Sequence, residues 1–193
     1  MTDAYRFDES STEQAIAYAK IYAGENYSPA METVLKVAFS EKRNLPTFRL
    51  KSSDTILLSG YMKKWVGAYL AGYNNRPSVR TGNCSGTHPD PMAKTILRAR
   101  ISGLEDNLAD KIVARHSLLM TIENNIGELL EEYLSVKLSP LGWYCCWGST
   151  IDAVDFCKAD GSLLQIKTSD NSENSSSSRV RQGTPIGKWF RRF

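Results

Sequence analysis

The sequence has few of the residues that build zinc sites. It contains two histidines and four cysteines, and no two cysteines form a CxxC pair. Both histidines lie far along the chain from the adjacent pair Cys145 and Cys146. Because zinc sites need several such ligands at short spacings, we expect none here. The cysteines are predicted to be reduced, small core residues of an intracellular protein.

Long apolar runs are missing as well. No signal peptide opens the chain, and no apolar run approaches the length that crosses a membrane. The 193 residues are 41% hydrophobic and 23% charged, which is enough apolar content for a real core and argues against wholesale disorder. We therefore expect a cytosolic protein with one domain, or one domain and a small subdomain.

The positive charge is small but unevenly distributed. The formal net charge is +3 and the pI is about 8.6. Residues 179–193 contain five arginines or lysines and no acidic residue. A basic end of this kind is either a solvated face or a surface that contacts phosphates.

Apolar residues at helical spacing predict a mainly helical first part of the chain. Ser28 and Pro29 are typical of an N-cap and of the first position of a helix. The strongest periodicity lies in residues 108–138 and ends at Pro140 and Gly142. The other expected helices cover residues 12–22, 28–42, 52–74 and 92–100. The apolar contact residues expected in these helices are Val34, Leu35, Phe39, Leu57, Tyr61, Trp65, Leu70, Leu119, Ile122, Ile126, Leu129, Leu130 and Tyr133.

After residue 142 the pattern changes to short runs that are typical of strands. The segment "GWYCCWGS" predicts one strand. The segment "AVDFCKADGSLLQIK" predicts a β-hairpin in which residues 154–157 and 163–167 flank the turn "ADGS". From residue 175 onward we expect another helix, with Ile186, Trp189 and Phe190 as its apolar contacts. The predicted order is helix, strand, hairpin and helix.

Three polar side chains are predicted to converge at one edge of the hairpin. Asp155 is a carboxylate within an apolar run, and Gln165 and Lys167 share one face of the second strand. A carboxylate and a neutral oxygen suit Mg²⁺, and a neighbouring lysine suits the charge that develops on a phosphate. This set indicates metal-assisted cleavage of phosphodiesters. The simpler alternative is a strand-end lysine that reaches solvent.

A second carboxylate is predicted on the helix that precedes the strands. Glu131 lies beside the apolar stripe, and helical side chains lean over the preceding turn. Gly127 lies in that turn and leaves room for the carboxylate. Glu131 is therefore a candidate metal ligand together with Asp155 and Gln165. The alternative is an ordinary surface glutamate in a helix.

These residues resemble a nuclease motif. Asp155, followed ten residues later by Gln165, Ile166 and Lys167, resembles the PD-(D/E)xK motif, with Val154 in place of its proline and Gln165 in place of its acidic residue. The blocks "ENNIGELLEEYL" and "KTSDNSENSSSSRVRQGT" are similar to type II restriction endonucleases of the SinI/AvaII kind. The resemblance covers residues 108–193.

The resemblance implies an α/β (α+β) fold. Residues 108–193 would form a PD-(D/E)xK core with a small mixed sheet flanked by helices, and residues 1–107 a mainly helical region for DNA recognition or dimerisation. The implied activity is that of a type II site-specific deoxyribonuclease, a homodimer that cuts double-stranded DNA with Mg²⁺, and GGWCC is the expected palindrome. The implied catalytic residues are Asp155, Gln165, Lys167 and Glu131.

The polar run after Lys167 is predicted to contact DNA. It has donors and acceptors but no apolar side chain, which suits base edges and phosphates, and two arginines follow it. The alternative is a flexible surface loop that caps a helix. The predicted DNA contacts are Asp170, Asn171, Ser172, Asn174, Ser175, Ser176, Arg179 and Arg181.

One departure from the family pattern leaves two other interpretations open. The implied core has a further strand after the helix that follows Lys167, whereas here that helix is expected to be still running at Phe193. Either the strand is supplied elsewhere, or the core is truncated and the chain is a catalytically impaired, DNA-binding relative. The other alternative is a helical interaction protein with a polar linker at its C-terminal end.

Overall fold

The computed structural model describes residues 7, 9–48, 57–80, 92–168 and 186–191. It contains helices ahead of a small mixed sheet, which confirms the predicted fold class. None of the described helices has both the length and the apolar character needed to cross a bilayer. The helices are α1 (Thr12–Ala23), α2 (Pro29–Ser40), α3 (Leu58–Asn74), α4 (Ala93–Arg100) and α5 (Asp106–Leu138), and the strands are β1 (Trp143–Cys145), β2 (Phe156–Lys158), β3 (Leu163–Thr168) and β4 (Ile186–Arg191).

The chain divides into two compact units. The sheet unit comprises Met1–Arg76 and Tyr133–Phe193 and contains α1, α2, α3 and all four strands. The helical unit comprises Pro77–Glu132 and contains α4 and most of α5. The division into regions 1–107 and 108–193 stays a prediction.

The start of α2 confirms the predicted N-cap. The Ser28 Oγ accepts a hydrogen bond from the Met31 N–H at 3.2 Å, and Pro29 is the first helical residue. This contact satisfies one of the amide donors that a helix start leaves without a partner. The predicted apolar face of α2 is buried and consists of Val34, Leu35 and Phe39.

Helix α3 supplies the centre of the core in the sheet unit. Tyr61 and Trp65 are fully buried. The Tyr61 hydroxyl donates to the Pro46 carbonyl at 3.0 Å, and the Trp65 indole N–H donates to the Thr150 carbonyl at 2.9 Å. Both polar tips are therefore satisfied inside the core. The prediction that Leu57 anchors this helix is wrong, because Leu57 lies before the first turn and is exposed.

The four strands form one sheet in the order β1-β2-β3-β4. The β1–β2 and β2–β3 pairs are antiparallel, and the β3–β4 pair is parallel. The predicted hairpin is confirmed as β2 and β3, although β2 begins two residues later than expected. In its turn, the Asp160 Oδ1 accepts a hydrogen bond from the Ser162 N–H at 2.8 Å, a side-chain contact that is common in tight turns.

The segment predicted as a C-terminal helix contains a strand. Ile186, Trp189 and Phe190 lie in β4, which pairs with β3 over all six residues. The helix prediction is wrong for these residues, and so is the expectation that no further strand follows β3. A short apolar run fits the periodicity of a helix as well as that of a strand. Two features favour the strand here, because Gly187 is unfavourable in a helix and β3 offers the backbone a pairing partner. Residues 169–185 lie outside the described part of the chain.

The long predicted helix is present as α5, with 33 residues. Five of its six predicted contact residues, Leu119, Ile122, Ile126, Leu129 and Tyr133, are nevertheless 38–59% exposed. Leu130 is partly buried. Among the α5 side chains that the structure describes, Ala109 alone is buried. The periodicity therefore identified the helix correctly but not a buried face.

Two glycines let α3 approach the loop between β1 and β2. A Cβ added at Gly72 would lie 2.4 Å from the backbone N of Gly148, and one added at Gly148 would lie 2.0 Å from the Ala68 carbonyl oxygen. Gly148 also has φ of +68°, which is unfavourable for residues with a Cβ. Because the opposing atoms belong to the backbone, neither position leaves room for a side chain.

Gly72→Ala is expected to destabilise the folded protein by about 2–3 kcal/mol, because overpacking against backbone cannot be relieved by a side-chain rotation. Gly67→Ala is the matched control on the same helix, since a Cβ there meets nothing within 4 Å. It should stabilise the protein by about 0.5–1 kcal/mol through helix propensity. Urea unfolding of the wild type and both variants measures the difference. Equal stability of the two variants would contradict the close approach.

Candidate active site at the β2–β3 pair

Asp155 immediately precedes β2 and extends its pairing with β3. Asp155 lies outside the paired residues of β2, whose register with β3 matches Phe156 to Leu164 and Cys157 to Leu163. The Asp155 N–H donates to the Leu164 carbonyl at 3.0 Å, and the Asp155 carbonyl accepts from the Cys146 N–H at 2.8 Å. Neighbouring segments on both sides therefore hold its backbone.

Three of the predicted site residues meet along β3. The Asp155 carboxylate bonds to the backbone of Ile166, the residue between Gln165 and Lys167. Gln165 and Lys167 are two residues apart in β3 and share one face of that strand. Gln165 is only 9% exposed, and Lys167 is partly buried. A carboxylate, an amide and an ammonium group are thus grouped at one place.

The Asp155 carboxylate is held by the backbone of β3. Its Oδ2 accepts a hydrogen bond from the Ile166 N–H at 2.7 Å. Burial raises the pKa of the Asp155 carboxyl above its ordinary value, while the Ile166 N–H and the positive charge of Lys167 act to lower it. Because the effect of burial is the largest, the carboxylate is short of solvation and gains from an added positive charge.

Glu131 lies in the helical unit, whereas Asp155, Gln165 and Lys167 lie in the sheet unit. Its side chain is partly buried. A Cβ added at Gly127 would meet nothing within 4 Å, so the space that the sequence suggested beside Glu131 is open. The role of Glu131 as a metal ligand stays a prediction.

The predicted DNA contacts lie in residues 169–185, outside the described part of the chain. Their roles stay predictions from the sequence. These residues are Asp170, Asn171, Ser172, Asn174, Ser175, Ser176, Arg179 and Arg181.

The donor atoms at the site suit a hard cation better than a soft one. Among the residues that the structure describes (7, 9–48, 57–80, 92–168 and 186–191), no cluster of three or more His, Cys, Asp or Glu side chains occurs. Asp155 and Gln165 offer oxygen atoms, which fit Mg²⁺ because this ion uses few protein ligands and keeps several waters. The nearby Cys146 is buried, and burial raises the pKa of its thiol, so it stays protonated and is a poor ligand for soft metals.

The loop between β1 and β2 is held by contacts that the sequence pattern did not identify. The Trp65 indole donates to the Thr150 carbonyl, and the Asp152 N–H donates to the Asn44 carbonyl, both at 2.9 Å. Asn44 is buried, and its side chain donates to the Val37 carbonyl at 2.8 Å. These contacts join residues far apart in the sequence, so no local spacing signals them.

The same loop contains strained backbone close to Asp155. Ser149 and Ala153 have φ values of 54° and 56°, in the left-handed region that side chains disfavour. Each such residue costs on the order of 1 kcal/mol or more and persists only when its surroundings impose it. The hydrogen bonds from Trp65 and to Asn44 supply that constraint and thereby fix the path of the chain into Asp155.

Asp155→Asn is expected to stabilise the protein at neutral pH relative to the wild type, and the gain should shrink in acid. A carboxyl whose folded pKa is raised contributes stability below its unfolded pKa of about 3.9, and this contribution is lost as pH rises through the folded pKa. Asparagine keeps an oxygen for the Ile166 N–H and carries no charge. Urea unfolding at several pH values between roughly 3.5 and 7, a range that begins below the unfolded pKa of the carboxyl, measures the effect.

Asp160→Asn is the matched control and should behave in the opposite way. The hydrogen bond from the Ser162 N–H lowers the pKa of the Asp160 carboxyl, so its contribution is present at neutral pH and is lost as pH falls. The control variant should therefore be less stable than the wild type at neutral pH and approach it in acid. Parallel curves for Asp155→Asn and the wild type would contradict the role of burial at Asp155.

Comparison with known proteins places these residues in a wider context. Residues 52–193 match the family model described as SinI restriction endonuclease. The chain is 46% identical over 112 residues to the type II restriction enzyme SinI of Salmonella infantis, and 44% identical over 112 residues to the type II restriction enzyme Eco47I of Escherichia coli. Each alignment covers 55% of this chain and 48% of the relative. The chain therefore spans about half the length of the curated relatives it matches.

Proposed function

The chain belongs to the SinI restriction endonuclease family, and on that basis we propose that it is a type II restriction endonuclease that hydrolyses phosphodiesters of double-stranded DNA. The observation that carries the proposal is the Asp155 carboxylate, bonded to β3 at the residue between Gln165 and Lys167. A carboxylate that is short of solvation, an oxygen donor and a cation are the groups that this hydrolysis requires.

Mg²⁺ is the proposed cofactor. Asp155 and Gln165 would hold it through oxygen atoms, and Glu131 is proposed as a third ligand. Held there, a divalent cation would supply Lewis-acid chemistry, namely polarisation of the scissile phosphate and a lower pKa for a bound water. The burial of Asp155 supports this assignment, because a cation offsets the desolvation of its carboxylate.

The protein groups have separate parts in the proposed reaction. The Ile166 N–H fixes Oδ2 of Asp155 and leaves Oδ1 for the metal. Gln165, nearly buried on the same face, orients a second oxygen. The Lys167 ammonium stabilises the negative charge that develops on the phosphate during attack by water. Because Asp155 is hydrogen-bonded to β3, which contains Gln165 and Lys167, the backbone sets the spacing of the three residues.

The proposed substrate is a short palindrome, with GGWCC as the specific site, and the proposed assembly is a cytoplasmic homodimer. The support is the family membership, together with the polar and basic sequence after β3. Residues 1–107 are proposed to serve DNA recognition or dimerisation. The proposed DNA contacts are Asp170, Asn171, Ser172, Asn174, Ser175, Ser176, Arg179 and Arg181.

A second candidate function is DNA binding with impaired cleavage. It is favoured by Gln165, which removes one negative charge that the family motif would place beside the metal. Incubation of plasmid or phage DNA with Mg²⁺ separates the two functions, because only the first gives discrete fragments. Sequencing the fragment ends then identifies the site and the cut position.

Asp155→Ala is expected to lower Mg²⁺-dependent cleavage on the order of 1,000-fold or more, because it removes the carboxylate ligand of the metal. DNA binding, measured by gel shift without Mg²⁺, should change little. Asp160→Ala is the control, since Asp160 lies in the exposed hairpin turn. Wild-type cleavage by Asp155→Ala would refute the assignment of this site.

Gln165→Glu is expected to preserve cleavage or lower the Mg²⁺ concentration it needs, because the change adds a charged ligand. Glu131→Gln should raise that concentration sharply, since it leaves Asp155 as the only proposed anionic ligand. The double variant should recover part of the loss. The measurement is cleavage rate against Mg²⁺ concentration for the four proteins. An unchanged curve for Glu131→Gln would remove Glu131 from the site.

A further inference from the structure

The sheet unit contains an aromatic cleft that none of the proposed catalytic residues lines. Its volume is about 400 Å³, which is within the usual size of small-molecule sites. Its walls come from α3, from the loop between β1 and β2, and from the connection between α1 and α2. The four rings that line it are those of Tyr27, Tyr69, Tyr73 and Trp147. The aromatic cleft is therefore a candidate site that the proposed cleavage does not use.

The rings of the aromatic cleft are held in place by their neighbours. Tyr69 is only 4% exposed and stacks on Trp65, with ring centroids 5.8 Å apart. Tyr73 and Trp147 meet edge to face, with centroids 5.9 Å apart and ring planes at 77°. Because these rings already pack against other rings, a ligand would not have to order them, which lowers the cost of binding.

Backbone packing fixes the corner that Tyr73 and Trp147 form. Tyr73 directly follows Gly72, and Trp147 directly precedes Gly148. These are the two glycines at which α3 and the loop approach each other without room for a side chain. The cleft is therefore built into the fold.

Two cations lie on rings of the aromatic cleft. The Lys20 ammonium is 5.5 Å from the centroid of the Tyr27 ring, and the central carbon of the Arg76 guanidinium is 4.0 Å from the centroid of the Tyr73 ring. Both are cation–π distances. These charges would repel a cationic ligand and attract an anionic group at the rim of the cleft. The rings and the charges together favour a flat aromatic body that carries an anion.

The carboxylates near the cleft are compatible with this preference. Glu32 is paired with Lys36 at 2.8 Å and accepts a hydrogen bond from the Tyr27 hydroxyl at 2.7 Å. Glu25 and Asn26 line the cleft and are exposed. A carboxylate accepts hydrogen bonds and an amide both donates and accepts them, so these side chains suit the edge of a nucleobase.

We propose that the aromatic cleft binds one unpaired nucleotide, with its base against the rings and its phosphate beside Lys20 or Arg76. Every nucleobase has a π face that stacks on aromatic side chains, and a cation beside the rings suits the phosphate. The nucleotide is either a free mononucleotide or one nucleotide of a DNA strand, since both present the same groups. The inference does not rest on the proposed cleavage, because no catalytic residue takes part in it.

The test is isothermal titration of the full chain without Mg²⁺, using dAMP, deoxyadenosine, inorganic phosphate and tetramethylammonium. We expect dAMP to bind saturably and deoxyadenosine to bind about 2–5-fold more weakly, which is the effect of one exposed ionic contact. Phosphate and tetramethylammonium should not bind. Lys20→Gln or Arg76→Gln should narrow the difference between dAMP and deoxyadenosine.

Tyr73→Ala is expected to lower the affinity for dAMP by about 5–150-fold, because it removes one stacking partner of the base. Tyr73→Phe keeps the ring and should bind like the wild type. Tyr22→Ala is the matched control, since Tyr22 is a helical tyrosine outside the cleft with 37% exposure, against 43% for Tyr73. Ala30→Phe is an independent variant that fills the cleft from α2, and it should also lower the affinity. Circular dichroism checks the fold of each variant.

A short single-stranded oligonucleotide distinguishes the two sources of the nucleotide. Equal affinities for dAMP and the oligonucleotide indicate a free nucleotide. Tighter binding of the oligonucleotide, weakened by Tyr73→Ala and not by Tyr22→Ala, indicates a nucleotide of a strand.

Three outcomes overturn the proposal. One is that neither dAMP nor the oligonucleotide has an affinity that depends on Tyr73 or Ala30. Another is binding of tetramethylammonium that Tyr73→Ala abolishes, which would make the cleft a cation site. The third is phosphate binding as tight as that of dAMP, which would leave no role for the base. Absence of Mg²⁺-dependent cleavage contradicts the proposed nuclease alone and leaves these titrations intact.

Discussion

The candidate site depends on the hydrogen bonds that hold Asp155 against β3. Its N–H reaches the Leu164 carbonyl at 3.0 Å, and its Oδ2 receives the Ile166 N–H at 2.7 Å. These bonds hold Asp155 against β3 beyond the end of β2, with its carboxylate at the residue between Gln165 and Lys167. A shift of one residue in the β2–β3 pairing would turn Gln165 and Lys167 to the other face, so this pairing keeps the three groups together. The short hairpin turn is therefore part of the site, although it contributes no side chain to it.

The glutamine at position 165 has a physical consequence for the sheet. A carboxylate there would be next in the chain to Ile166, whose N–H holds the Asp155 carboxylate, and like charges that lie close together are destabilising. The position is only 9% exposed, so solvent would screen that repulsion poorly. With glutamine at position 165, Asp155 is the one anion among these three residues, and the positive charge of Lys167 acts to lower its pKa against the larger effect of burial. In the proposed enzyme, the stability of the sheet therefore depends less on a bound metal. The metal, in turn, has one charged ligand fewer than the family motif would give it.

Residue patterns over a few positions correctly predicted the features of the fold that depend on neighbouring residues in the sequence. The Ser28 cap and the β2–β3 hairpin follow from residue types a few positions apart, and both are present. The β4 strand was missed because Ile186, Trp189 and Phe190 fit a helix as well as a strand, and only the pairing with β3 decides. The Trp65–Thr150 hydrogen bond spans 85 positions, which no periodicity can reveal. Periodicity likewise identified α5 and its apolar stripe but carries no information on what covers that stripe.

The N-terminal helices are part of what holds the candidate site. Trp65 in α3 and Asn44 after α2 bind the backbone of the loop that leads to Asp155. This loop contains left-handed Ser149 and Ala153, a conformation that a free chain would relax. Their contacts therefore do more than bury apolar surface, because they impose the backbone path from which the β2–β3 register begins. Asp155, Gln165 and Lys167 lie in the last third of the chain, yet the loop that leads to Asp155 is held by contacts from Trp65 and Asn44.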